Sequence, residues 1–302
     1  MFRIRIQNKK KCIWYCSAVV SFLLFLLLLG WTNHLANTQD AQQMAGRWSE
    51  KKDVAQISCF FSSKAEVTED TIQSFEYSLK NVLQEASITE TSENPSARLW
   101  VDAYSADGKI TLVNGKNTLD ANAIGIGGDF FMFHPLKLIT GAYFSGNDLM
   151  QDYCIIDQDA AWQLFGSNDV VGMTVYIGNV PHIVTGVVQR PDSRMDKAAG
   201  LNSTVVYVSY ETLSAYGTNN GINHYEIVMP NPVDEFAYGK VKEGIGIDEK
   251  NVEIVENSRR YSLPNRIKTI LAFGTRSMNG KAIIYPYWEN LARGDRKSTR
   301  LN

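Results

Sequence analysis

The spacing of hydrophobic positions changes character several times along this chain. Residues 13–31 form one unbroken apolar run dominated by Leu, Val and Phe, without a charge. As a helix this run rises roughly 28 Å, close to the thickness of a bilayer's hydrocarbon core. Residues 32–53 are polar and read as a stalk. From residue 54 the pattern shortens. Val54–Phe61 is a β-prone strand, and Thr68 then caps a helix whose Ile72, Phe75, Leu79, Val82, Leu83 and Ala86 recur at helical spacing. Glu69 and Asp70 suit the positive end of that helix. A strand is expected over 99–104, a turn at Asp107-Gly108, a strand over 110–113 and a second turn at Asn114-Gly115.

The block 123–190 has a different texture. Gly125, Gly127 and Gly128 predict a turn-rich loop, entering a short helical segment that carries Phe130, Phe131 and Phe133. A buried strand covers 153–156, Asp157 caps a helix over 158–165, and Gly166 ends it. Two β runs, 173–177 and 180–188, flank Gly178-Asn179, a hairpin signal. After a polar loop over 190–202 come a strand (204–208), a helix from Ser209 to Tyr216, a flexible Gly/Asn-rich stretch and a strand (225–229). A helix over 234–244 follows, with Phe236, Ala237, Val241 and Ile245 inward, then a strand over 252–255. The outer segments, 54–113 and 204–255, share an order of elements. The expected fold is α+β: an N-terminal transmembrane helix, then an extracytoplasmic domain of two βα-type halves with an inserted small β-rich subdomain at about 123–190.

Charge gives the apolar run a direction. Arg3, Arg5, Lys9, Lys10 and Lys11 precede it, and no acid occurs before Asp40. By the positive-inside bias, residues 1–12 are cytoplasmic and the bulk of the chain is exported. The rival reading is a cleaved signal peptide, whose apolar region is about 7–15 residues long. The run here is longer, and Trp31-Thr32-Asn33-His34 is a poor cleavage site, so a retained helix in the cell membrane is expected, in contact with lipid. A net charge of −2 argues against a nucleic-acid partner.

Candidate chemistry is sparse. Cys59 and Cys154 can pair in an oxidising compartment or stand as separate buried thiols, and the second is favoured. Four dispersed Cys and four dispersed His, namely His34, His134, His182 and His224, show no metal-ligand spacing. His134, His182 and His224 are isolated in the sequence and read as surface or structural residues. Asp157 and Asp159 invite a carboxylate-pair reading, but a helix cap explains the first and solvent the second. Gly125-Ile-Gly-Gly128 lacks the register of a nucleotide-binding loop. No catalytic, cofactor-binding or metal-binding residue is assigned, and no cofactor or enzymatic activity is expected.

One resemblance emerges from the order of several segments: Ile126-Gly-Gly-Asp-Phe-Phe, Leu136-Lys-Leu-Ile-Thr-Gly, Ile155-Ile-Asp-Gln-Asp-Ala-Ala-Trp-Gln-Leu-Phe-Gly, Val171-Gly-Met-Thr-Val-Tyr-Ile and Pro181-His-Ile-Val-Thr-Gly-Val-Val. Together, behind one N-terminal helix, they resemble the extracytoplasmic core domain (54–260) of MacB/FtsX-type ABC transporter permeases. The resemblance is sharp over about 125–190. It implies a dimeric permease with a cytoplasmic ABC ATPase subunit on a separate chain, since there is no P-loop here. It also implies an exported domain inserted between the first and second membrane helices, which passes ATPase-driven helix motion to a substrate or an outside partner. Residues 261–293 resemble the segment leading to the second membrane helix, with Tyr285, Tyr287 and Trp288 suited to a headgroup-level belt. Residues 294–302 read as a non-native tail on a fragment truncated before its second membrane helix. The alternatives are a single-pass binding or sensing module and a membrane-anchored ectoenzyme.

Overall fold

The computed structural model of the chain describes residues 9–50, 53–89, 98–272 and 281–293; the expected non-native tail lies outside them. The chain divides into two compact units, Met1–Gln39 and Asp40–Asn302. In the first, helix α1 (Lys9–Asn37) presents apolar side chains on every side: Trp14, Val20, Phe22, Leu27 and Trp31 are all exposed. An all-round apolar surface has no aqueous solution unless another apolar phase covers it. The span Ile13–Asn37 is long and apolar enough to cross a membrane.

The second unit begins earlier than the expected core. A short 3-10 turn (Asp40–Gln42) and helix α2 (Met44–Trp48) belong to it, so part of the stretch read as a stalk is built into the folded domain. Strand β1 (Val54–Phe61), helix α3 (Glu69–Glu85), β2 (Val101–Asn114) and β3 (Asn117–Gly128) follow. Then come α4 (Phe130–Phe133), β4 (Leu138–Gly141), β5 (Tyr153–Asp157), α5 (Gln158–Phe165), β6 (Thr174–Ile177) and β7 (Val180–Val188). The chain continues through α6 (Arg194–Ala199), β8 (Val205–Ser209), α7 (Tyr210–Tyr216), β9 (Thr218–Asn219) and β10 (His224–Pro230). The last elements are α8 (Phe236–Gly244), β11 (Val252–Glu256), α9 (Asn257–Arg260), α10 (Leu263–Leu271) and α11 (Tyr287–Arg293).

The described strands form one mixed sheet in the order β11-β1-β10-β2-β3-β8-β5-β7-β4. Strand β6 pairs with both β7 and the far end of β2, so β2, β3, β8, β5, β7 and β6 close into a ring of pairings. The β-rich block thus shares β2 and β3 with the open sheet. Its core holds Leu112, Cys154, Ile156, Ala160, Leu164, Val175, Val184, Val208 and Leu213. Helices α3 and α8 cover one face of the open part, packing Ile72, Phe75, Leu79, Ala237 and Val241 onto Ile57, Cys59, Tyr225 and Ile227.

Several local readings change. Strand β2 runs straight through Asp107-Gly108, where a turn was expected; Gly108 instead lets β9 approach, since a Cβ there would strike the Thr218 carbonyl oxygen. Gly125 and Gly127 lie within β3 rather than in a loop. A side chain at Gly125 would meet Leu213, and one at Gly127 would meet the Tyr104 ring. Close packing therefore explains these glycines. The loop expected over 190–202 contains α6, capped by Ser193. The Gly178-Asn179 hairpin stands as read, both residues having positive φ (57° and 65°) as a type I′ turn requires.

Candidate functional site

Side-chain alternation in β10 creates the site. Tyr225, Ile227 and Met229 point to the helix-covered core, so His224, Glu226 and Val228 point to the opposite face. Strand β1 does the same: Ile57, Cys59 and Phe61 face the helices, leaving Gln56, Ser58 and Phe60 on the far side. The antiparallel register sets Ser58 opposite Glu226 and Phe60 opposite His224. Three polar side chains and an aromatic ring thus share one patch of sheet.

Four segments bury this patch. The residue after α4 contributes His134, whose Nε2 lies 2.7 Å from Glu226 Oε2. His224 Nε2 lies 3.5 Å from Glu226 Oε1. Ser58 donates its hydroxyl to Glu226 Oε1 at 2.5 Å, and the Asn257 amide of α9 donates to Ser58 Oγ at 2.7 Å. Trp288 of α11 packs on His134 with ring centroids 4.1 Å apart, and Phe60 stacks on His224 at 5.0 Å. From the N-terminal side, Arg47 donates to the Met132 carbonyl at 2.7 Å, and Gln56 accepts from the Met44 amide at 2.9 Å. His134, His224 and Glu226 are each no more than 3% exposed.

The network continues outward. Arg260 of α9 grips Glu289 of α11 through two bonds of 2.7 and 2.8 Å, a bidentate geometry. Arg293 joins Glu289 and Glu253, and Tyr285 donates to Glu253 at 2.6 Å. The headgroup-belt expectation for the aromatic segment does not hold. Trp288 and Tyr285 are buried, and Tyr287 packs against the core beside Trp288. Their amphipathic rings seal a polar network instead of meeting lipid.

Burial alone would push the Glu226 carboxyl up. His224 and His134, by their charge, overcome this and hold it below the usual carboxylate range. Burial lowers His134 against the pull of Glu226. Glu226 is therefore an anion in the interior, which is sustainable only with such partners.

The other candidates sort cleanly. His182 is buried with both nitrogens placed, 3.0 Å from the Val180 carbonyl and 3.1 Å from Thr212 Oγ1. His34 sits on α1. Asp157 caps α5 as read: its Oδ1 accepts from the Ala160 amide at 2.8 Å, and its Oδ2 accepts from the Val205 amide and from Arg190. Asp159 also pairs with Arg190, so solvent is not its only partner. Cys59 and Cys154 are free thiols in separate clusters; burial raises both, Cys154 to about 12, which makes them poor nucleophiles. The meeting of His134 and His224 escaped the sequence reading because 90 residues and several strands separate them. The available signal was the phase of His224-Tyr-Glu226, which sets two polar residues on one face of a strand whose other face is apolar.

Residues 21–254 match the family model of the MacB-like periplasmic core domain. The macrolide export ATP-binding/permease protein MacB of Chromobacterium violaceum is 32% identical over 99 residues, covering 32% of this chain and 15% of that protein. MacB of Pasteurella multocida is 30% identical over 98 residues, covering 32% and 14%. The chain thus spans a small part of the length of the curated relatives it matches. Among solved structures, the periplasmic region of MacB from Actinobacillus actinomycetemcomitans aligns at 19% identity and a TM-score of 0.43, covering 72% of this chain and 92% of that one. The extracellular domain of the ABC-type transporter YknZ from Gram-positive bacteria gives the same identity and score, covering 66% and 99%.

Proposed function

The chain belongs to the MacB-like periplasmic core domain family, and from that membership we propose that it is the membrane-anchored, exported part of an ABC-type permease subunit. On this reading the N-terminus is cytoplasmic and α1 lies in lipid. A cytoplasmic ATPase supplied by another chain drives a permease dimer. The exported domain carries no active site of its own and passes motion to a substrate or an outside partner.

One observation carries the mechanical part of this reading: the segments at both ends of the folded domain pack on one buried cluster on the face of β1 and β10 that carries Gln56 and His224. At one end, Met44 and Arg47 fasten to Gln56 of β1 and to the end of α4. At the other, Trp288 and Glu289 fasten to His134 and Arg260. A displacement of the first segment reaches β1 through the Met44–Gln56 bond, and one of the second reaches β10 through the packing of Trp288 on His224, with ring centroids 5.2 Å apart. Buried, bidentate charge pairs suit this use, because they resist small changes of geometry.

The test uses the complete permease with its ATPase in lipid nanodiscs. Arg47→Ala and Glu289→Gln should leave basal ATP hydrolysis intact and abolish its stimulation by substrate or partner. Arg259→Ala, which removes an exposed pair with Asp234, should change neither. Full stimulation in both clasp variants would contradict the mechanical reading.

A further inference from the structure

We infer that His134, His224 and Glu226 form a buried structural site for a divalent transition-metal ion of the zinc type. The inference is independent of the permease reading. One donor atom from each residue lies within 4.8 Å of the others. His134 Nε2, His224 Nε2 and Glu226 Oε2 are all buried, and none makes an aligned hydrogen bond. The 2.7 Å approach of His134 to Glu226 is close, but its direction is not that of a donated N–H. Buried polar atoms without an aligned hydrogen bond are costly, and here three of them lie together.

The distances suit an ion. Donors bound at about 2.0–2.2 Å in tetrahedral geometry lie roughly 3.3 Å from one another. His134 Nε2 lies 2.7 Å from Glu226 Oε2, His224 Nε2 lies 3.5 Å from the other carboxylate oxygen, and all three donors fall within 4.8 Å of one another, so small side-chain shifts bring them to that spacing. Two imidazoles and one carboxylate match zinc and its borderline neighbours and fit poorly with calcium or magnesium, which take oxygen donors.

The surroundings provide outer support. Ser58, itself held by Asn257, fixes Glu226 Oε1. Ser105 Oγ lies 3.5 Å from His224 Nδ1, on the side of the ring away from the site. Such outer partners orient metal ligands. Trp288, Phe130 and Phe60 pack against the imidazoles. That closed, aromatic shell screens the site from solvent, which suits a structural ion, and the three protein donors leave its fourth position to a water or a small anion. An ion there would join β10 to the end of α4 beneath α11. His182 is the internal contrast: equally buried, but with both nitrogens already placed.

The test uses the tag-free chain of 302 residues in detergent, stripped with a chelator and then dialysed against zinc. Elemental analysis should find one retained zinc per chain and a raised melting temperature. Cobalt(II) in place of zinc should give the visible absorption of a low-symmetry nitrogen and oxygen site. Glu226→Gln and His224→Gln should lose the retained zinc, and His182→Gln should keep it. If a variant fails to fold, the wild-type cobalt spectrum and melting shift decide the matter. The inference is overturned if wild type retains no zinc and shows neither spectrum nor shift. It is equally overturned if folded Glu226→Gln binds zinc as wild type does.

Discussion

Single residues show where this domain tolerates charge and where it resists it. Glu76 on α3 is pushed up to about 8 from its ordinary 4.5, first by burial and then by the charge and hydrogen bond of Asp102, with Glu69 adding to it. Burial raises Asp102 too, against hydrogen bonds from Glu76 and Tyr225 and the charge of Arg98. A raised carboxyl means that between about 4.5 and 8 the folded chain still holds a proton that the unfolded chain has released. This contribution to stability is complete below about 4.5 and fades as pH rises through about 8. Thermal melts across that window should show wild type losing more stability toward alkaline pH than Glu76→Gln does. Parallel profiles would refute the assignment. Neither Glu76 nor Asp102 stood out in the sequence, because each reads as an ordinary polar position, one on a helix and one on a strand, and only their pairing makes them unusual.

At the scale of elements, most of the fold was legible. Val54–Phe61 matches the expected strand, and the helix after Thr68 has Ile72, Phe75, Leu79 and Leu83 buried, as its spacing required. The Asp157 cap and the Gly166 stop frame α5 as read; Gly166 adopts φ 73°. These succeeded because cap, stop and periodicity are local physics. The failures share a cause. Asp107-Gly108 and Gly125–Gly128 look like turns by composition, yet β2 and β3 pass through them. Their glycines answer to β9, Leu213 and Tyr104, which are distant in sequence. Asp157 offers an element-scale test. It satisfies the Ala160 and Val205 amides and Arg190 together, so Asp157→Ala removes a cap worth about 0.5–2 kcal/mol and also strands the Val205 amide. Urea denaturation should show a loss of roughly 2 kcal/mol or more. Asp159→Ala, at a half-exposed position, should cost far less. Equal losses would mean that the cap is not what holds α5 to β8.

For the whole molecule, the sequence conveyed an apolar helix and an α+β domain of the MacB-like periplasmic core domain family, and both stand. What it did not convey is how the domain's ends are held. Residues 40–48, read as stalk, and residues 285–288, read as a lipid-facing belt, both close over the face of β1 and β10 that carries Ser58, His224 and Glu226. Polarity misled the first reading and aromatic content the second; both patterns are equally suited to sealing a buried charged cluster. The central claim is that these two end segments carry motion into the sheet. Hydrogen exchange on the complete permease with its ATPase, with and without bound ATP, tests it most directly. The account predicts that ATP changes amide protection in Met44–Trp48 and Tyr287–Arg293 together, with a matching change in β10. Unchanged protection in both segments, under conditions where the ATPase demonstrably closes, would contradict it.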